Sequence, residues 1–312
     1  MSSYVVRNER NNTWATLLAK AGKLLKLLKA TKFLKPLITL ASLMVSTTVY
    51  AFSLPGGWIF AVGFVIMILV HETGHVAALR RKGIRASAPV FIPFLGAAIF
   101  APKLGDRNQE AYVGYAGPLI GGAGALLLLA FVALMAHPPV MLELIAYVAL
   151  TINAFNLIPL SPLDGGRITQ AIGPRFRWAG AAMLVALTVA TGNPGMMLIW
   201  LIALGSFPMD RRLRAALAVL FWTTMAGMEL LGIGAKEGLA WILFDMIIGF
   251  GFVVAFALSA RKQAKELATT TDDRPQLDVR RKVFWLGAYF FLAVVLLGLT
   301  VVSHGFLPKG AS

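Results

Sequence analysis

The chain of 312 residues is 58 % hydrophobic and only 14 % charged, with a mean hydropathy of +0.75. A soluble domain is about 45–50 % apolar and about 25 % charged, so a soluble globular enzyme, a disordered chain and a collagen-like repeat are excluded, and a polytopic membrane protein remains. Lys and Arg outnumber Asp and Glu by 29 to 14; in a membrane protein that excess speaks first of orientation, and no nucleic-acid partner is expected. With no cysteine, disulfides, iron–sulfur clusters and thiol nucleophiles are excluded as well.

In chain order, residues 1–36 form a basic N-terminal segment. At about 100° per residue, Trp14, Leu17, Leu18, Ala21, Leu24, Leu25 and Leu28 share one arc, and Lys20, Lys23, Lys26 and Lys29 the other. That pattern predicts an amphipathic helix lying on anionic lipid. Apolar runs at 37–54, 58–79, 114–136, 141–160, 214–233, 239–259 and 284–303 are each long enough to cross about 30 Å of hydrocarbon as a helix. Two shorter runs, 178–191 and 194–207, flank Gly192-Asn193-Pro194-Gly195 and come as a pair. The expected fold is therefore all-α, with about nine transmembrane helices. Under that count every Lys and Arg except Lys236 and Lys309 falls on one face. The positive-inside rule makes that face cytoplasmic, together with the N-terminus. The expected location is the bacterial inner (cell) membrane.

Residues 83–113 break the helical pattern. Within them Ala88 to Lys103 is apolar but interrupted by Pro89, Pro93, Gly96 and Pro102. A short β-hairpin or extended segment dipping into the membrane is expected, tolerated there only if buried in protein or lining a cavity. Residues 264–281 are polar and read as a cytoplasmic linker.

The second run ends in His71-Glu72-Thr73-Gly74-His75. On a helix His71 and His75 lie one turn apart on one side, so both imidazoles can reach one ion. Glu72, beside the first ligand, can contact a water on that ion without ligating it. Imidazole nitrogens suit Zn²⁺, and a catalytic zinc takes three protein ligands and keeps one open position. With four His and seven Glu in the chain, composition alone gives such a match about once in a thousand chains. Ionisable groups inside an apolar helix are costly and normally functional.

A third ligand must come from elsewhere. Asp164 is the sole acid between Glu143 and Asp210. It follows the fourth long run, in Asn156-Leu-Ile-Pro159-Leu-Ser-Pro162-Leu-Asp164-Gly165-Gly166, at a membrane depth close to that of His71. Pro159 and Pro162 end the helix, and the glycines allow close backbone approach. Asp164 also fits the N-cap of a short helix over 165–172; opposite an intramembrane His-Glu-x-x-His, ligation is the stronger reading. Asn153 and Asn156 fit either helix packing or contact with a ligand. Gly117 and Gly121 have the spacing of close helix packing around the site.

Together, the His71–His75 motif and the Asn156–Gly166 segment closely resemble the site-2 protease family of intramembrane zinc metalloproteases. The resemblance covers about residues 57–172, a three-helix core with an extended segment before its middle helix. It implies one Zn²⁺ per chain held by His71, His75 and Asp164, with Glu72 as general base and Asn156 at the developing oxyanion. It further implies an edge strand within 88–101 that pairs with an unwound substrate, so that Phe91, Ile92, Phe94, Gly96, Asn153 and Pro159 are expected at the substrate. The implied partner is a single-pass or signal-like transmembrane protein. The expected organisation is then a basic segment over 1–36, a first helix over 37–56, the core over 57–172, further helices over 173–260, a linker over 261–282, and a last helix with a short outer tail over 283–312. Two other readings stay open on the residues alone: a transporter or proton relay through the His/Glu/Asp cluster, and a silent scaffold of the same fold, which would have no need of Glu72.

Overall fold

The structure, a computed structural model, describes residues 34–94, 96–99, 101–102, 104–191 and 274–305, with a few single positions besides. The expected interfacial helix over 14–30 and the apolar runs 194–207, 214–233 and 239–259 lie outside these stretches.

The chain enters as helix α1, Leu34–Ser53. Pro55 and Gly56 then turn it, Gly56 taking φ 97°, into α2, Gly57–Arg81. Along α2 the buried residues Ala61, Val65, Ile68, His71, His75 and Leu79 recur every three or four positions, one stripe down one side. The helix stops where Gly83 takes φ 71°: Gly83 N donates to Arg80 O at 2.9 Å and Ile84 N to Leu79 O at 3.0 Å, the two bonds of a Schellman motif. Ile84 packs back against Leu79 and Ala78 and closes that end.

Next comes the antiparallel hairpin β1, Val90–Ile92, and β2, Gly96–Ala98, with Phe91 opposite Ala97. Helix α3, Arg107–Ala133, starts at Arg107 rather than near 114. Its earlier start follows from Asp106, whose side chain accepts from Gln109 N at 2.7 Å, and from Glu110 in the first turn, an acid suited to the positive end of a helix. The broken stretch expected over 83–113 is shorter for the same reason.

Helix α4, Val140–Phe155, ends before the expected 160. Pro159 and Pro162 have no N–H to continue it, and the chain winds through turns that Gly165 N closes by donating to Asn156 O at 2.7 Å. Two short helices follow, α5, Asp164–Ile172, and α6, Phe176–Thr191. The last described helix is α7, Val279–His304, capped by Asp278 on Arg281 N at 2.8 Å.

Among the described residues α1, α2, α3 and α7 are long and apolar enough to cross a membrane, while α4 and α6 are shorter apolar helices. The chain is a mostly helical membrane protein, with one small sheet among the described residues. Its core lies where α3 meets α4, α5 and α7, built from Ala111, Ala125, Leu129, Ala149, Leu150, Ile168, Trp285, Tyr289 and Leu296. Tyr289 donates to Leu157 O at 2.6 Å, and Trp285 Nε1 to Asn108 Oδ1 at 2.8 Å. Helix α7, outside the expected 57–172 core, thus holds the turns that lead into Asp164.

Candidate metal centre

His71 and His75 on α2 meet Asp164 at the first residue of α5, all three buried. Asp164 Oδ2 lies 3.1 Å from His71 Nε2 and 3.2 Å from His75 Nε2, and the two Nε2 atoms are 3.1 Å apart. Leu163, not Asp164, holds the N-cap position of α5, so the capping role is not the one the carboxylate takes.

The outer ring nitrogens fix which face of each imidazole looks inward. His75 Nδ1 lies 2.8 Å from Val113 O, which can only accept. His71 Nδ1 lies 2.8 Å from Asn153 Oδ1, and the Asn153 amide is oriented by its Nδ2 donating to Ala149 O at 2.8 Å. Both Nδ1 atoms therefore carry the proton, and both Nε2 atoms turn lone pairs toward the carboxylate. Three acceptors facing one another at 3.1–3.2 Å are mutually repulsive without a cation. Ligand atoms about 2.0–2.1 Å from a shared zinc in tetrahedral array stand about 3.3 Å apart, so the donor set and its spacing both fit zinc.

Glycines make the room. A Cβ on Gly117 would overlap the Nε2 atoms of both His75 and His71, and one on Gly121 would overlap Asn153 Oδ1. The small-residue stripe of α3 therefore matches the ligands themselves as well as a packing helix. A Cβ on Gly165 or Gly166 would collide with the main chain of Leu157 or Ser161, which fixes how closely α5 folds back under α4.

A cavity of about 530 Å³ opens on the centre. Glu72, Asn153 and Asn156 line it, as do Phe94 and Gly96 of the hairpin, and Tyr50 of α1. Phe91, Ile92 and Pro159, expected at the substrate, are not part of this wall. Strand alternation turns Phe91 into the α1–α2 core against Tyr50, Val65 and Ile68 and leaves Ile92 exposed. Pro159 is buried with its carbonyl against Gly180 of α6. Asn153 reaches the cavity, but both ends of its amide are already engaged, by His71 and Ala149.

The sequence reading missed what suspends the hairpin. Phe91 N donates to Ser42 Oγ at 3.1 Å and Phe94 N to Tyr50 Oη at 2.9 Å, both from α1. The second bond steadies Phe94 at a φ of 62°, unusual for a residue with a side chain. Little in the sequence signals this: Ser42 and Tyr50 stand about two turns apart on a helix that also carries Thr39, Ser46, Thr47 and Thr48.

A buried His-Glu-x-x-His helix that meets an aspartate from a second element in a membrane bundle defines the class of membrane metalloproteins. Comparison with known proteins narrows it. Residues 59–141 match peptidase family M50. A zinc metalloprotease of Methanocaldococcus jannaschii is 31 % identical over 121 residues, 36 % of this chain and 34 % of that protein. Rip3 of Mycobacterium tuberculosis is 27 % identical over 161 residues, 47 % of this chain and 39 % of Rip3. The chloroplast protein EGY1 of Arabidopsis thaliana is 30 % identical over 159 residues, 35 % of this chain and 28 % of EGY1. All three carry zinc metalloprotease in their names. Over these stretches the chain is similar to peptidase family M50, the site-2 protease family. It spans about a third of the length of the curated relatives it matches, with shares of 34 %, 39 % and 28 %.

Proposed function

We propose that the chain is an intramembrane zinc endopeptidase that hydrolyses peptide bonds within or near transmembrane segments of single-pass or signal-like membrane proteins. The observation that carries this reading is the closed triangle of His71, His75 and Asp164 beside the buried Glu72. These three residues would hold one zinc. When bound, zinc supplies Lewis acidity to the scissile carbonyl and to the attacking water. Glu72 takes the proton of that water and delivers it to the leaving amine. Asn156, at the end of α4 and on the cavity wall, donates to the oxyanion as charge develops.

A helix in lipid keeps its carbonyls within its own hydrogen bonds, so the substrate must unwind to be cut, and its freed backbone groups need partners. The hairpin offers one edge. The outward N–H of Phe91 is taken by Ser42, so β1 is closed by α1. In antiparallel register a residue opposite Phe91 also turns its N–H and C=O outward, and that residue is Ala97, on the cavity wall. An extended substrate adds there as a third strand. The same reading places the N-terminus and the metal end of the bundle on the cytoplasmic side of a bacterial inner membrane, with the basic segment on anionic lipid.

The test is cleavage of a model transmembrane substrate by purified protein. Glu72→Gln should lower the rate by about 10²–10⁴-fold while one zinc per chain is retained. Full cleavage by the variant removes Glu72 from the chemistry. Flux of ions through proteoliposomes with no bound zinc would favour the transport reading instead.

A further inference from the structure

The cavity beside the metal triangle carries a polar group that the chemistry above leaves unused. Tyr50, near the end of α1, is only 3 % exposed and lines that cavity with Phe64, Phe94 and Ala97. Phe64 and Phe94 hold its ring edge-on, at centroid distances of 5.0 and 5.5 Å. A phenol oxygen both accepts and donates. Tyr50 Oη accepts from Phe94 N at 2.9 Å, and its own proton meets no acceptor among the described residues. A donor left unmatched in a buried place is costly. The open space beside this fixed ring is the cavity.

The two hairpin anchors show where the donor stands along a substrate. Ser42 and Tyr50 are eight residues apart on α1, about 12 Å. The hairpin residues they hold, Phe91 and Phe94, are three apart, about 10 Å of extended chain. Strand β1 therefore runs alongside α1 toward the start of α2, and Tyr50 stands at the hairpin tip, beyond Ala97. Its ring neighbour Phe64 precedes His71 by seven residues on α2, about 10 Å along the axis. An extended chain covers that distance in about three residues.

We propose, on the basis of the peptidase reading, that Tyr50 is a further substrate-binding residue. Its O–H donates to a main-chain carbonyl of the unwound segment, about three residues from the scissile bond and toward the start of α2. A strand edge serves only alternate residues of an added chain, and β2 is three residues long, so a carbonyl freed beyond it needs another donor. The hydroxyl accepts from the hairpin tip and donates to the substrate, and each bond polarises the other. A carbonyl contact reads no side chain, so it serves membrane segments of differing sequence.

The test is cleavage kinetics of synthetic transmembrane peptides by the full chain loaded with zinc. One peptide is all amide; each of the others carries a single ester near the cut bond, which weakens one carbonyl as an acceptor. Tyr50→Phe should raise KM for the all-amide peptide about three- to tenfold, the scale of one hydrogen bond, with kcat and bound zinc unchanged. The ester about three residues from the cut bond should raise KM for the unaltered protein and not for Tyr50→Phe, whereas a purely structural role leaves every ester with the same effect in both. The dissociation constants of the uncut peptides from Glu72→Gln protein, with and without Tyr50→Phe, should follow the same order. Replacing Tyr50 by O-methyltyrosine, which keeps an oxygen for Phe94 N and lacks the proton, should behave like Tyr50→Phe and stands in for it if that variant does not fold. An unaltered protein that cuts, with KM the same in the variant or additive effects at every ester, overturns this proposal alone. A zinc-loaded protein that cuts none of the peptides overturns the peptidase reading, and the role of Tyr50 with it.

Discussion

Each inward-facing lone pair at the metal centre depends on what holds the far side of its ring. His71 is oriented by Asn153 and His75 by the Val113 carbonyl. Removing an outer-shell partner of a metal histidine commonly weakens binding about 10–100-fold. Asn153→Ala should therefore lower zinc affinity by about that factor, read by competition with a chromophoric chelator, because the ring loses its preferred tautomer. An unchanged affinity would make the Asn153 contact incidental. The ligands themselves were legible in the sequence: helical spacing sets His71 beside His75, and Asp164 is a lone acid at a matching depth. The place of Asn153 was not. An amide on an apolar helix fits packing, substrate contact and ring orientation equally well, and only the approach of α4 to α2 decides among them.

Among the elements, the hairpin makes the most specific demand. If a substrate strand adds to β2, the outward N–H of Ala97 is one of its donors. Proline has no N–H and is tolerated only where none is needed. Ala97→Pro should cut cleavage of a transmembrane substrate by about tenfold or more, the scale of one or two lost hydrogen bonds, with bound zinc unchanged by metal analysis. Ala97→Val, which keeps the N–H, should retain most of the activity. The existence of this element was legible from Pro89, Pro93 and Gly96, since no helix survives them. Its facing was not. Phe91 looked available, yet two-residue alternation packs its side chain, with that of Ala97 opposite, against the α1–α2 core, and the Ser42 anchor closes the β1 edge, which leaves the backbone edge of Ala97.

For the molecule as a whole, the feature hidden from sequence is the contribution of α7. An apolar run announces a span but not its neighbours, and nothing in 284–303 says that Tyr289 reaches Leu157, 132 positions away. That bond holds the turns between α4 and Asp164. Tyr289→Phe leaves a buried carbonyl without its donor and should lower stability by about 1–3 kcal/mol, measured by thermal unfolding in detergent. Activity should fall with it if α7 steadies the third ligand, whereas an unaltered unfolding midpoint would remove α7 from that role.

The metal triangle also has a mechanical side. His71 and His75 belong to α2 and Asp164 to α5, while the backs of the two rings are fastened to α4 and α3. An ion in the middle is a rivet through four helices, and bare acceptors in its place push them apart. A ligand bound only by the folded state stabilises it by about 2.7 kcal/mol at a hundredfold its dissociation constant. Stripping zinc with a chelator should thus lower the unfolding temperature as well as stop catalysis, and readdition should restore both; an equal midpoint with and without metal would show that the helices need no rivet. On the proposed peptidase reading, the residues that hold the metal for cutting would also be the ones that keep the blade in its handle.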